Sequence, residues 1–69
     1  MTILLREMRE KRGWTQIELS RRSGVPQPMI SEIESQAVKD PRVGTLYRLA
    51  RALRCMIEDM IEEDNPSHD

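Results

Sequence analysis

The chain has 69 residues, a formal net charge of −1, one cysteine and one histidine. That length holds one domain with a modest core, so its stability is limited or shared with a partner chain. A single Cys55 excludes an internal disulfide and fits a reducing cytoplasm. The Ile3-Leu4-Leu5 run is cut by Arg6, far short of a signal peptide, and no apolar run reaches the roughly 20 residues of a membrane span.

The charge is unevenly placed. All eleven Lys and Arg lie in residues 1–54 against six acids, giving that part +5, while residues 55–69 carry six acids and no Lys or Arg. A basic body suits a polyanionic partner, and an acidic end suits solubility or a protein contact.

In chain order, a first helix is expected from Thr2, as N-cap, to Arg12, with Leu5, Met8 and Arg9 or Arg12 on one face. Gly13 closes it. Trp14 follows as a hydrophobic plug between helices rather than an exposed stacking platform. Thr15 and Glu18 make the T-x-x-E capping box of a second helix, which Gly24 ends in a left-handed conformation. A third helix covers Gln27 to Ser35. Pro26 and Pro28 are tolerated there because first-turn N–H groups lack intrahelical partners. Residues 35–42 form a loop. A fourth helix runs from Val43 to Leu53, with Leu46, Leu49, Ala50 and Leu53 on one face. A last short helix is expected over Met56 to Glu63, and Asn65 to Asp69 should fray. No strand pattern is visible. The architecture expected is an all-α bundle of five short helices, with a domain at residues 1–64 and a flexible acidic end at 65–69.

The stretch from Thr15 to Ser35 carries the function. Leu19, Ile30 and Ile33 point inward, Ser20 and Gly24 allow a close crossing and a tight turn, and Gln27, Pro28, Met29, Ser31 and Glu32 remain outside. This is the layout of a helix-turn-helix, whose second helix enters a DNA major groove. No phosphate loop or nucleophile–base pair appears, so an enzyme is not expected. Paired carboxylates such as Glu58-Asp59 read as a solvated face. Cys55 with the terminal His68 cannot build a zinc site, and neither metal nor cofactor is expected.

The chain resembles the lambda-repressor-like, or Cro/Xre, helix-turn-helix regulators over nearly its whole length. The matching pieces are Arg9 to Gly13, Thr15-Gln16 with Leu19, Gly24-Val25, Gln27, Ile30 to Ser35, Pro41, Thr45-Leu46 and Leu49 to Leu53. The resemblance implies a dimer on a two-fold operator in double-stranded DNA, with no small-molecule effector domain. It implies phosphate contact at the start of helix 2 (Thr15, Gln16), with Gln16 also bracing Gln27. Base or phosphate contact is implied at Gln27, Pro28, Met29, Ser31 and Glu32, and backbone or minor-groove contact at Lys39 and Arg42. It also implies a salt bridge between Arg9 and Glu34. For Gln16, Lys39 and Arg42 the alternative reading is ordinary surface polarity.

Departures from the family pattern are Pro26 for a capping hydroxyl, Pro28 for a polar base reader, and Gln36 and Arg54 for glycines. Glu32 brings negative charge toward DNA. These departures and the acidic end keep open a second reading, a protein-interaction or antitoxin-like module on the same fold. A dimer surface is expected around Cys55, Met56 and Ile57, unless those residues are core.

Overall fold

A computed structural model describes residues 2–38 and 40–62. Residues 63–69, including the expected fraying end, and Lys39 lie outside the described residues. The elements run β1 (Thr2–Ile3), α1 (Leu5–Lys11), α2 (Gln16–Ser23), α3 (Gln27–Glu34) and α4 (Val43–Leu53), then a 3-10 helix (Ile57–Met60) and β2 (Ile61–Glu62).

Helical spacing of apolar residues builds the core. Leu5, Leu19, Ile30, Ile33, Leu49, Leu53 and Met60 are fully buried, joined by Ile3, Val25, Leu46 and Ala50. On α4 the i, i+3, i+4, i+7 stripe of Leu46, Leu49, Ala50 and Leu53 faces inward, which is how an 11-residue helix too short to stand alone is held in place.

The two ends differ from the sequence expectation. The first helix begins at Leu5, not Thr2, and Thr2 caps nothing. Thr2 and Ile3 instead pair antiparallel with Glu62 and Ile61, and the Leu4 N–H donates to the Met60 carbonyl at 2.7 Å. The expected helix from Met56 to Glu63 is correspondingly a 3-10 turn ending at Met60, followed by strand. Burial explains both: Ile3 and Met60 enter the core from opposite chain ends, and the extended backbone between them satisfies its polar groups by pairing. Among the described residues the fold is thus the expected all-α bundle of five short helices, four α and one 3-10, with a short two-stranded ribbon added.

Gln36 guards the free edge of that ribbon. Its side-chain amide donates to the Ile3 carbonyl at 3.0 Å and accepts the Ile3 N–H at 3.4 Å. A glutamine side chain thereby supplies the pairing a third strand would give, on an edge otherwise open to another chain.

The turns follow local chemistry. Thr15 caps α2 by accepting the Glu18 N–H at 3.1 Å. Only this half of the expected capping box forms, because the Glu18 carboxylate turns to Arg21 (3.1 Å) and Arg22 (2.7 Å). Gly24 ends α2 at φ +77°, and the Ser20 hydroxyl donates to the Val25 carbonyl at 2.7 Å, tying α2 to the turn. Pro26 and Pro28 sit at the start of α3, where their missing N–H groups cost no helix bond.

Candidate nucleic-acid interface

The interface rests on a buried ion pair between α1 and α3. Arg9 Nε lies 2.6 Å from Glu34 Oε2, and Arg9 Nη2 donates to Glu34 Oε1 at 3.0 Å. The third guanidinium nitrogen, Nη1, donates to the Trp14 carbonyl at 2.7 Å. The Glu34 side chain is fully buried and that of Arg9 is 11% exposed. Burial opposes the charge on Glu34. The hydrogen bonds from Arg9 and Gln16, with the Arg9 charge, outweigh it and hold the carboxyl below its ordinary range. The same hydrogen bond raises Arg9 above its ordinary value. The fork geometry fixes the angle between α1 and α3, and with it the direction in which α3 presents its outer face.

Glu34 also reaches the surface polar residues. Gln16 Nε2 donates to Glu34 Oε1 at 3.0 Å, and Gln27 Nε2 donates to Gln16 Oε1 at 3.2 Å. Arg6 Nε reaches the same carboxylate oxygen at 3.5 Å from an exposed position. The starts of α2 and α3 are thus joined by two glutamine amides anchored on a buried carboxylate. The resemblance pointed to the Gln16–Gln27 link. The Gln16–Glu34 and Arg6–Glu34 links were missed, although a carboxylate holding one arginine keeps lone pairs to spare.

Gln27, Pro28, Met29, Ser31 and Glu32 are all exposed along α3, opposite the buried Ile30 and Ile33. Thr15 is exposed at the α2 N-cap, and Gln16 is half-buried. Arg42 is exposed at the N-cap of α4 and shares no hydrogen bond with the glutamines. The face offers two amides, the Thr15 and Ser31 hydroxyls and an apolar Pro28–Met29 step, with Glu32 as its acid. Such a surface suits base edges and a thymine methyl more than a dense grid of phosphates.

Trp14 is half-buried, with the Arg22 guanidinium 4.2 Å from its ring centroid. It therefore plugs the α1–α2 corner and carries a cation on its outer side. Away from α3, Arg22, Arg48 and Arg51 border an open groove with Tyr47 between α2 and α4.

The candidate dimer residues divide. Met56 is 65% exposed, whereas Cys55 and Ile57 are half-buried against the core. Burial pushes the Cys55 thiol up, away from reactivity. Among the described residues no cluster of metal-ligating side chains occurs, and no helix is long and apolar enough to cross a membrane.

Comparison with the curated proteins finds no match. The profile of the helix-turn-helix family matches residues 5–59, from the first residue of α1 into the 3-10 helix. With α2 and α3 joined through the turn at Gly24 and Gln27 at the start of α3 hydrogen-bonded to Gln16 of α2, the chain belongs to the lambda-repressor-like helix-turn-helix family of DNA-binding transcription regulators.

Proposed function

We propose that the protein is a sequence-specific operator-binding repressor, acting as a homodimer with α3 of each protomer in successive major grooves. The observation that carries this reading is the amide pair Gln16–Gln27, held on the exposed side of α3 by the buried Glu34. Base-reading groups fixed before binding lose less freedom on contact than mobile ones. Gln27, Met29, Ser31 and Glu32 read base edges, with Pro28 giving apolar contact. Thr15, Gln16, Lys39 and Arg42 meet the backbone, Arg42 and Lys39 reaching toward the minor groove. Dimerisation runs through Met56, the exposed apolar residue just after α4, with Cys55 and Ile57 beneath it. Such a regulator works in the cytoplasm beside chromosomal DNA.

Selection of bound duplexes from a random pool tests the whole reading. A recovered site with two-fold symmetry supports it; recovery of no preferred sequence at micromolar protein and low salt sinks it. Sedimentation of Met56→Glu against the parent chain tests the dimer separately, with a shift toward monomer expected.

A second reading, a protein-interaction module, draws on the groove bordered by Arg22, Arg48 and Arg51 beside the exposed Tyr47. Its basic, part-aromatic lining suits an acidic partner segment. It leaves α3 free, so the two readings are compatible. Co-purification of a stable stoichiometric partner that charge reversal at Arg48 and Arg51 abolishes would support it.

A further inference from the structure

Glutamine is an ambiguous reader. Its amide can turn over, exchanging donor for acceptor, and each orientation favours a different base edge. Gln27 is exposed at the start of α3, where nothing in its own helix fixes which end of the amide points outward. The array behind it removes the ambiguity.

We infer that Glu34 acts as a positioning residue for base specificity, setting through Gln16 the amide polarity with which Gln27 meets DNA. The proposal rests on the operator-binding reading and deepens it. A carboxylate only accepts hydrogen bonds, and Glu34 is held ionised by the Arg9 fork. Gln16 must therefore turn its NH2 toward Glu34, as found at 3.0 Å. That leaves the Gln16 oxygen facing Gln27, so Gln27 must turn its own NH2 inward, as found at 3.2 Å. Each amide follows from the one before it, and the series starts at a group that cannot be reversed.

What remains on Gln27 is defined by subtraction. One N–H is used on Gln16; the second N–H and the whole carbonyl oxygen are free. An acceptor beside a donor matches the N6–H and N7 of adenine. On guanine the free N–H could still meet N7, but the O6 acceptor would then face the Gln27 oxygen with no proton between them. Gln16 likewise keeps one N–H for a phosphate, so one residue orients the reader and fixes the backbone. Arg6, on the same carboxylate oxygen from the exposed side, adds positive charge that keeps Glu34 ionised near DNA. Replacing the carboxylate by an amide keeps the shape but removes the polarity, because Gln at 34 could present either end to Gln16.

The test uses the full chain and two variants, Gln16→Met and Glu34→Gln. Gln16→Met cuts the link while leaving the Arg9–Glu34 pair whole, so it keeps the proposal testable should Glu34→Gln fold poorly. The selected operator is varied one base pair at a time, and affinities are read by fluorescence anisotropy at fixed salt. The position that loses discrimination in Gln27→Ala identifies the base pair Gln27 reads. The parent chain should prefer adenine there by about tenfold to a hundredfold over other bases. Both variants should cut that preference to about threefold or less, while preferences at the remaining positions stay unchanged. In the free protein, side-chain amide NMR should show Gln16 and Gln27 each held in one orientation, with Gln27 released in Gln16→Met.

Retention of the full adenine preference in Gln16→Met overturns the proposal, as does an equal loss at every position, which a merely structural role would give. Freely averaging amides in the unbound parent chain overturn it as well. A parent chain that binds no duplex overturns the operator-binding function itself, and the readout role with it.

Discussion

Arg9 is the residue whose loss the structure makes most costly. Removing it strands a fully buried carboxylate with only Gln16 and the distant, exposed Arg6 as donors. Arg9→Ala should therefore lower unfolding stability by about 3 kcal/mol, read as a fall in the urea midpoint. A neutral result would mean the pair is open to water. Glu34 makes the same site pH-dependent. Its folded pKa lies below the unfolded one, so its contribution is complete above the ordinary carboxylate range and is lost as pH falls below it. The acid side of the stability curve should thus flatten in Glu34→Gln; an unchanged acid limb would place the titrating group elsewhere. Two other residues carry backbone strain. Arg54 and Gln36 have φ of +55° and +64°, where a side chain is disfavoured. Arg54→Gly should stabilise the chain by up to about 1 kcal/mol in a thermal or urea melt. Gln36→Gly should not, because it releases strain but also strips the Ile3 N–H and carbonyl of their partner. Equal stabilisation by both would show the Gln36 amide bonds to be worthless. The family resemblance marked both positions as departures from glycine, yet only the three-dimensional neighbour distinguishes a strained residue from an employed one.

At the scale of elements, what can be read from sequence follows how local the cause is. The bounds of α4 follow from four apolar residues within one helix and its Arg54 cap, and the α2–α3 corner from Thr15, Gly24 and the two prolines. The β1–β2 ribbon could not be read this way: Thr2 and Ile3 look like the start of a helix until Ile61 and Glu62 arrive from the far end of the chain. Two residues have no period, so no alternation could mark them. The Gln36 amide on Ile3 was hidden for the same reason. The ribbon has a further consequence. Met60 is fully buried and its carbonyl receives the Leu4 N–H, so the 3-10 helix is part of the core rather than an appendage. Met60→Ala should cost about 2–4 kcal/mol in the same melt. A loss below about 0.5 kcal/mol, typical of surface substitutions, would show that the C-terminal segment is only loosely docked.

On the scale of the whole molecule, the net charge of −1 conceals a basic body and an acidic end. The candidate interface itself carries few cations: α3 has none, and its one acid among the exposed readers is Glu32. Beyond the backbone contact proposed for Arg42, attraction to DNA must therefore come from the field of the body, from arginines such as Arg48 and Arg51, opposed by Glu58, Asp59 and Glu62. Opposition at a distance and contact at the interface have different signatures. Charges that touch phosphate change how many counterions are released, and so change the slope of log K against log salt by about 0.9 per contact. Charges off the interface shift affinity at low salt and are screened within a Debye length of about 10 Å at 0.1 M. Glu58 and Glu62 are both exposed and hold no ion pair among the described residues. The double variant Glu58→Gln/Glu62→Gln should accordingly bind any duplex several-fold tighter at low salt, with the gain fading as salt rises. The ratio of operator to random-sequence affinity should stay constant, because neither residue lies on the reading face of α3. Anisotropy titrations over a salt series separate the outcomes. A slope altered by a full contact would bring the acidic segment onto the DNA, and a changed specificity ratio would make it part of the reader. Unaltered affinity at every salt would mean that the acidic end faces away from DNA and is available to a second protomer or a protein partner.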